Sequence, residues 1–523
     1  EFDGRLLGGV ISFKEREVGA SSIGVPVPRY VPDHERCRRV ARLAARSARL
    51  RSTPPADRRV AVMLTNFPTR HARVGMAVGL DTPASALRLL DAFAADGMRV
   101  ERPFGDGDEL MRALIAGGGH DADFLTDEQL AASPLRLPVA EYLTRYAGLP
   151  QDLRASIEER WGPPPGDRFV DGDDLVFAGL ELGNVLVAIQ PPRGYGEDLV
   201  GIYHDPELPP AHHYLACYWW LDRTWGADAV VHLGKHGTLE WLPGKMLALS
   251  AGCAPDVALG DLPLVYPFVV NDPGEGVQAK RRAHAVIVDH LVPPMMRAET
   301  YDEMAELEQL LDEYARLEVL DPPKLPSLAT RIWSAIERAN LQTDLGVQAR
   351  PDDVAELIGH IDGYLCEVKD IQIKDGLHVL GEAPQGERLR GLVAAVLRLG
   401  SGDVPGLRWA VGAAFGIDEA ALVAAPGAPA PSPAPELLER FPGPAVSGGD
   451  VVDRLEAAQS ALLELLAGTR WDPAAVPAVC ERALGRRDPG VERALAFAAT
   501  EVVPRINGAG AEIDGVLAGI GGR

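Results

Sequence analysis

The chain has 523 residues, long enough for three or four domains at ordinary domain sizes. Its 46% hydrophobic and 24% charged content is that of a folded soluble protein and not of a disordered one. Seventy-five Asp and Glu against 52 Lys and Arg leave a net charge of −23, which repels phosphate backbones and acidic membranes and argues against nucleic-acid or membrane partners.

No apolar run reaches the roughly 18 to 20 residues that span a bilayer. The first residues, EFDGRLLGGV, carry neither Met nor a signal pattern, so a processed chain, an excised piece or an incomplete reading frame is expected. Cys37, Cys217, Cys253, Cys366 and Cys480 lie far apart with no CxxC pair, which predicts buried free thiols in a reducing, cytoplasmic setting.

In chain order, residues 1–135 read as an α/β lobe. CRRVARLAARSARL at 37–50 is a basic amphipathic helix, RRVAVMLTNFP at 58–68 a buried strand, and Asp81-Thr82-Pro83 starts a capped helix. Residues 136–292 read as a central α/β lobe with three near-continuous apolar strands, at 184–194, 227–234 and 264–276. Asp272, Pro273 and Glu275 then begin a helix. Such strands predict wound, mostly parallel sheets covered on both faces, with function gathered beyond their carboxyl ends. A mainly helical region is expected over 293–423, a Pro/Ala linker over 424–436 and a helical C-terminal region over 437–523.

Seven of the 12 histidines and four of the eight tryptophans fall between 204 and 290, where even scatter would put about two histidines. The densest tract is HLGKHGTLEWLPGK at 232–245. His232, His236 and Glu240 recur every four residues, a nitrogen-and-oxygen set suited to Co, Zn, Ni, Mn or Fe. Gly234 and Gly237 argue against a regular helix, so His232 is placed at a strand end and the others in the following turn. A glycine-rich turn with incidental polar residues is the plainer alternative.

His212-His213 open a helix carrying Tyr214, Tyr218, Trp219 and Trp220, which forms either plain core or a flat wall for a planar ligand. Arg193, Lys280, Arg281 and Arg282 are candidates for gripping carboxylates, with a solvated face or a structural ion pair as the alternative. No G-x-x-x-x-G-K-[ST] occurs: the tract from Gly237 to Lys245 has the wrong spacing, with Met246 after the lysine. Nucleotide chemistry would come from another chain.

HLGKHGTLEWLPGK, with YHDPELPPAHHYLACYWWL before it and NDPGEGVQAKRRAHAVIVDHLVPP after it, resembles the large subunits of the class I chelatases, which insert a divalent ion into a tetrapyrrole. EFDGRLLGGVISFKE, RVGMAVGLDTPAS, NVLVAIQPPRGYGED and KDGLHVLGE extend the resemblance over most of 1–385. Trp241-Leu242 is closer to the cobaltochelatase branch than to the magnesium chelatase H branch, and family chains are considerably longer. The resemblance implies ATP-dependent insertion of Co(II) into hydrogenobyrinic acid a,c-diamide, a ligase reaction of cobalamin synthesis. It also implies that ATP with Mg is hydrolysed by AAA+ partners of the CobS and CobT type and not bound by this chain. Onto this chain it places His232, His236 and Glu240 as metal ligands, with Glu240 and His236 catalytic. Arg193, His212, His213, Trp219, Trp241, Lys245, Asp272, Lys280 and Arg281 are then the expected substrate contacts. A magnesium–porphyrin chelatase subunit and a non-catalytic tetrapyrrole scaffold are the competing readings.

Overall fold

The computed structural model describes residues 9–17, 27–66, 74–75, 77, 79–120, 125–195, 202, 205–234, 237–293, 307, 310, 313–314, 317, 322–338, 341–342, 347, 377–424, 435–443 and 448–523. The chain forms two compact units: Glu1–Val292 with His378–Ala383 and Asn507–Arg523, and Pro293–Leu377 with Pro384–Ile506.

The strands of the first unit are β1 (Ser12–Glu17), β2 (Val27–Pro32), β3 (Val60–Leu64), β4 (Arg136–Pro138), β5 (Val170–Asp171), β6 (Asp174–Val176), β7 (Gly179–Leu182), β8 (Val185–Ile189), β9 (Ala229–Leu233), β10 (Leu264–Val269) and β11 (Val286–His290). Six make one sheet in the order β11-β10-β9-β3-β8-β7, parallel except for the antiparallel edge pair β7 and β8. β1 pairs with β2, and β4, β6 and β5 form a small antiparallel sheet.

Residues 1–135 and 136–292 are therefore not separate lobes. β3, from the first stretch, lies between β8 and β9 of the second, with Val60 opposite both Val185 and Ala229. A strand such as VAVML, buried at every position, has to be covered on both faces and flanked on both edges, and only the later strands supply the flanks.

Strand alternation divides the core into two faces. Val60, Val62, Leu64, Ala229, Val231 and Leu233 pack with helices Thr82–Ala95, Gly107–Ala116 and Gly510–Ile520. Ala61, Met63, Leu186 and Val230 pack with helix His212–Trp220. Residue 232 shares the facing of Val230, so its side chain turns toward that helix.

The local signals hold. Asp81 caps its helix by accepting from the Ala84 amide at 3.0 Å, and Asp272 accepts from the Glu275 amide at 3.4 Å. The basic helix, His34–Ser52, docks its arginines on acidic partners: Arg36 on Asp256 at 2.6 Å, Arg39 on Asp256 and Asp261 at 2.7 and 2.8 Å, and Arg46 on Asp222.

Residues 507–523, expected with the helical C-terminal region, join this unit because Val516 and Ile520 complete the core face formed by Val60, Val62 and Leu64. Glu512 ties three segments together. Its carboxylate accepts from the Leu291 amide at 2.8 Å and the Gly381 amide at 2.9 Å, and pairs with His378 Nε2 at 2.7 Å.

The described part of the second unit is helical, with Leu325–Arg338, Gly386–Val396, Leu407–Ala414, Gly448–Gly468, Val476–Leu484 and Pro489–Phe497 as its longer helices. Arg408 joins two further segments by pairing with Glu419 and Glu456, each at 2.7 Å. Most of the Pro/Ala tract, 425–434, lies outside the described residues. Among the described residues no helix is long and apolar enough to cross a membrane. Cys37, Cys217, Cys253 and Cys480 are free thiols, and Cys366 lies outside the described residues.

Candidate functional site

β8 and β9 flank β3, and the chain passes from one to the other through helix His212–Trp220, which makes β3 the switch point of the sheet. The crevice beyond the carboxyl ends of such strands is where wound sheets place their ligands. Gln190 follows β8 there, His232 occupies the penultimate position of β9, and Leu239–Trp241 forms a single tight turn just beyond it.

His232 and Glu240 are both fully buried. Two tyrosines organise them. The Tyr218 hydroxyl stands 3.1 Å from His232 Nε2 and accepts from Gln190 Nε2 at 2.9 Å, so this nitrogen of His232 is taken up by the fold. The Tyr266 hydroxyl accepts from the Gly237 amide, which directs its own proton to Glu240 Oε1 at 3.3 Å. The Tyr266 ring also meets the His232 ring edge-on at 5.4 Å, bridging the two groups.

What remains is one nitrogen and one oxygen. Among the described residues, His232 Nδ1 and Glu240 Oε2 are buried polar atoms with no hydrogen-bond partner. Leaving such atoms unpaired is costly unless something else occupies them in function. Gly237 keeps the nitrogen approachable, since a Cβ there would stand 2.9 Å from His232 Nδ1.

Burial sets the protonation of both. It pushes the Glu240 carboxyl from 4.5 up to about 8, against the opposing pull of the backbone and Tyr266 hydrogen bonds, and holds the His232 imidazole down to about 3. At neutral pH the imidazole is uncharged and the carboxyl largely protonated.

His236 lies outside the described residues, and among the described residues no three His, Cys, Asp or Glu side chains stand together as a metal centre. Arg193 is buried, with Nη2 donating to the carbonyls of Asp205 (2.8 Å) and Leu208 (3.1 Å) and Nη1 to that of Trp241 (3.3 Å). It braces the loops around the site.

The imidazole of His212 uses both nitrogens: Nδ1 faces the Tyr142 hydroxyl at 2.8 Å and Nε2 donates to the Gly162 carbonyl at 2.9 Å. The His213 Nε2 donates to the Val176 carbonyl at 2.7 Å, and burial lowers this imidazole to about 4. Trp219 is core, its Nε1 donating to the Val257 carbonyl at 2.9 Å and its face covered by Arg145 at 4.6 Å. Trp241 is half-buried and Lys245 exposed at the end of the same loop. Asp272 caps the helix Pro273–Ala283, on which Lys280 is buried and Arg281 exposed.

Their neighbour Arg282 holds the 240–245 loop, donating to the carbonyls of Glu240 at 2.6 Å, Leu242 at 2.7 Å and Lys245 at 3.3 Å. Tyr218, Tyr266 and Gln190 are the site residues that motif spacing does not reveal. A polar residue closing an apolar strand is a usable signal for Gln190, and the i, i+4 spacing of Tyr214 and Tyr218 for a shared helix face.

Fold and site together define a wound α/β protein with a buried imidazole–carboxyl pair at the switch point of its sheet. The family model described as CobN/Magnesium Chelatase matches residues 1–523, and the chain belongs to that family. It is similar to the aerobic cobaltochelatase subunit CobN of Pseudomonas aeruginosa, 41% identical over all of this chain, and to that of a Sinorhizobium species, 38% identical over all of it. The solved catalytic subunit of cobaltochelatase from Mycobacterium tuberculosis is 46% identical over the whole chain, with a TM-score of 0.69. The chain spans 41% of the length of each of these relatives.

Proposed function

We propose that this chain is the tetrapyrrole-holding, metal-inserting part of a cobaltochelatase large subunit, a ligase that forms nitrogen–metal bonds by placing Co(II) in hydrogenobyrinic acid a,c-diamide during cobalamin synthesis. ATP with Mg is hydrolysed by AAA+ partners of the CobS and CobT type, and the complex works in the cytoplasm. Matches over the whole of this chain, and 41% of each relative, to proteins named as cobaltochelatase subunits support this reading.

The observation that carries it is the buried pair His232 and Glu240, each with one atom left over. Co(II) is the substrate ion, and His232 Nδ1 with Glu240 Oε2, joined by His236, would hold it during transfer. An approaching dication favours the charged carboxylate, so Glu240 releases its proton to solvent water as the ion arrives. When the ion passes to the ring nitrogens, the carboxylate is left in surroundings that favour its protonated form at about 8, and it takes a proton from a ring N–H. Tyr266 fixes which oxygen is used, and Tyr218 which nitrogen. Magnesium, a hard ion that prefers oxygen ligands and sheds water reluctantly, suits an imidazole-bearing pair less well.

The test is Glu240→Gln in the full-length protein with its ATPase subunits. Tetrapyrrole binding persists and Co(II) insertion is lost; undiminished turnover removes Glu240 from the reaction and this reading with it.

A further inference from the structure

On the same carboxyl side of the sheet, reached by the backbone that leaves β8, lies a cavity of about 270 Å³ lined by Arg160, Trp161, Asp167, Arg168, Tyr195 and His212. Its walls are built. The Arg160 guanidinium lies 4.9 Å over the Trp161 ring and that of Arg168 5.2 Å over the Tyr195 ring. The two rings meet edge-on at 5.4 Å. Trp161 is anchored by donating from Nε1 to the Pro209 carbonyl at 2.8 Å, and it fits only because residue 194 is glycine: a Cβ there would stand 2.6 Å from its Cη2. His212, both nitrogens engaged, is wall and not base.

The arginines stand out in so acidic a chain. Arg36, Arg39, Arg136 and Arg408 each pair with two carboxylates, whereas Arg160 and Arg168 form no ion pair among the described residues. Asp167 is the single acidic side chain in the lining, so the cavity carries a net positive charge in a molecule of net charge −23. A guanidinium stacked on an aromatic ring keeps its donor edge free, held in the plane that suits a carboxylate.

The segment that packs against the cavity also braces the turn that carries Glu240: residue 194 lies against Trp161, and the preceding Arg193 donates from Nη1 to the Trp241 carbonyl at 3.3 Å.

We propose that this cavity is a subsite for a carboxylate-bearing arm at the rim of the macrocycle, with Arg160 and Arg168 gripping the acid and Trp161 and Tyr195 flanking its methylenes. The inference rests on the tetrapyrrole reading above and gives the task once assigned to Arg193, which is occupied by backbone carbonyls, to residues that motif reading passed over.

The experiment titrates the full-length protein, wild type and Arg160→Ala/Arg168→Ala, with hydrogenobyrinic acid a,c-diamide, with the same ring carrying esterified arms, and with ATP, following ring absorbance for the tetrapyrroles and retained radiolabel for the nucleotide. The double variant is expected to bind the acid roughly tenfold more weakly, a modest factor because both guanidiniums meet solvent, and the ester no differently from wild type. Arg168→Lys recovers part of the loss. Equal affinity of wild type and double variant for the acid overturns the subsite while leaving the Glu240 mechanism standing. A loss confined to ATP also overturns it, in favour of a phosphate ligand. Absence of tetrapyrrole binding by the wild type defeats the functional reading itself. Thermal unfolding of the double variant, whose altered side chains are exposed, confirms that the fold is intact.

Discussion

Glu240→Gln changes the charge of the buried site with almost no change of shape, and its effect on stability follows from the structure. An ordinary Glu ionises near 4.5, while burial holds Glu240 protonated to about 8. Between these values the unfolded chain has lost its proton and the folded chain keeps it. A raised carboxyl therefore costs the fold about 1.4 kcal/mol per pH unit as pH rises through the window, and nothing below it. At pH 7 the cost is roughly 3 kcal/mol, all of it removed by an amide that cannot ionise. Any constant offset from placing the amide near Tyr266 cancels when one pH is compared with another. Urea unfolding of both proteins from about pH 5 to about pH 8 should show the advantage of the variant growing by roughly 3 to 4 kcal/mol. Parallel curves would refute the claim that this carboxyl is desolvated, and with it the proton-return step.

Gly237→Ala places a methyl 2.9 Å from His232 Nδ1 and 3.4 Å from Gln190 Nε2; it should cost about 1 to 3 kcal/mol in urea unfolding and lower Co(II) insertion more than tenfold, and retained activity would show that Nδ1 is not the working atom. Arg282→Lys removes the fork that spans the carbonyls of Glu240 and Leu242; a loss of about 2 to 4 kcal/mol is expected from the same measurement, and a variant as stable as wild type would show that the loop holds itself. His213 and His284 are both depressed by burial to about 4 from 6.5. Their contribution is complete above about pH 6.5 and lost as pH falls toward 4, so His213→Gln should flatten the acid limb of stability against pH by about 1.4 kcal/mol per unit, and an unchanged limb would place that imidazole in water.

The local elements were legible because short-range chemistry decides them. Asp81 and Asp272 cap their helices whatever lies around them, and strands as apolar as VAVML, VLVAI and AVVHL are buried wherever they occur. The four-residue recurrence of His232, His236 and Glu240 marked the stretch in which His232 and Glu240 meet the same tyrosine, and the glycines between them argued against a regular helix, in keeping with the strand end and single tight turn found there. Strand order was not legible, since apolar runs carry no label for their neighbour. β3 entered between β8 and β9 because the sheet had to be flanked there, which merged two expected lobes and created the switch point where the site sits.

Side-chain employment was equally a tertiary matter. Arg193 and Arg282 look alike as isolated cations, yet both are consumed by backbone carbonyls that approach only in the folded chain. Tyr218 and Tyr266, 48 positions apart, become partners of one imidazole only when a helix and a strand close over the same strand end. The sequence by itself determined which polar side chains this stretch has on offer; the packing decided which of their atoms are left open, because hydrogen bonds and desolvation depend on neighbours that lie far off along the chain.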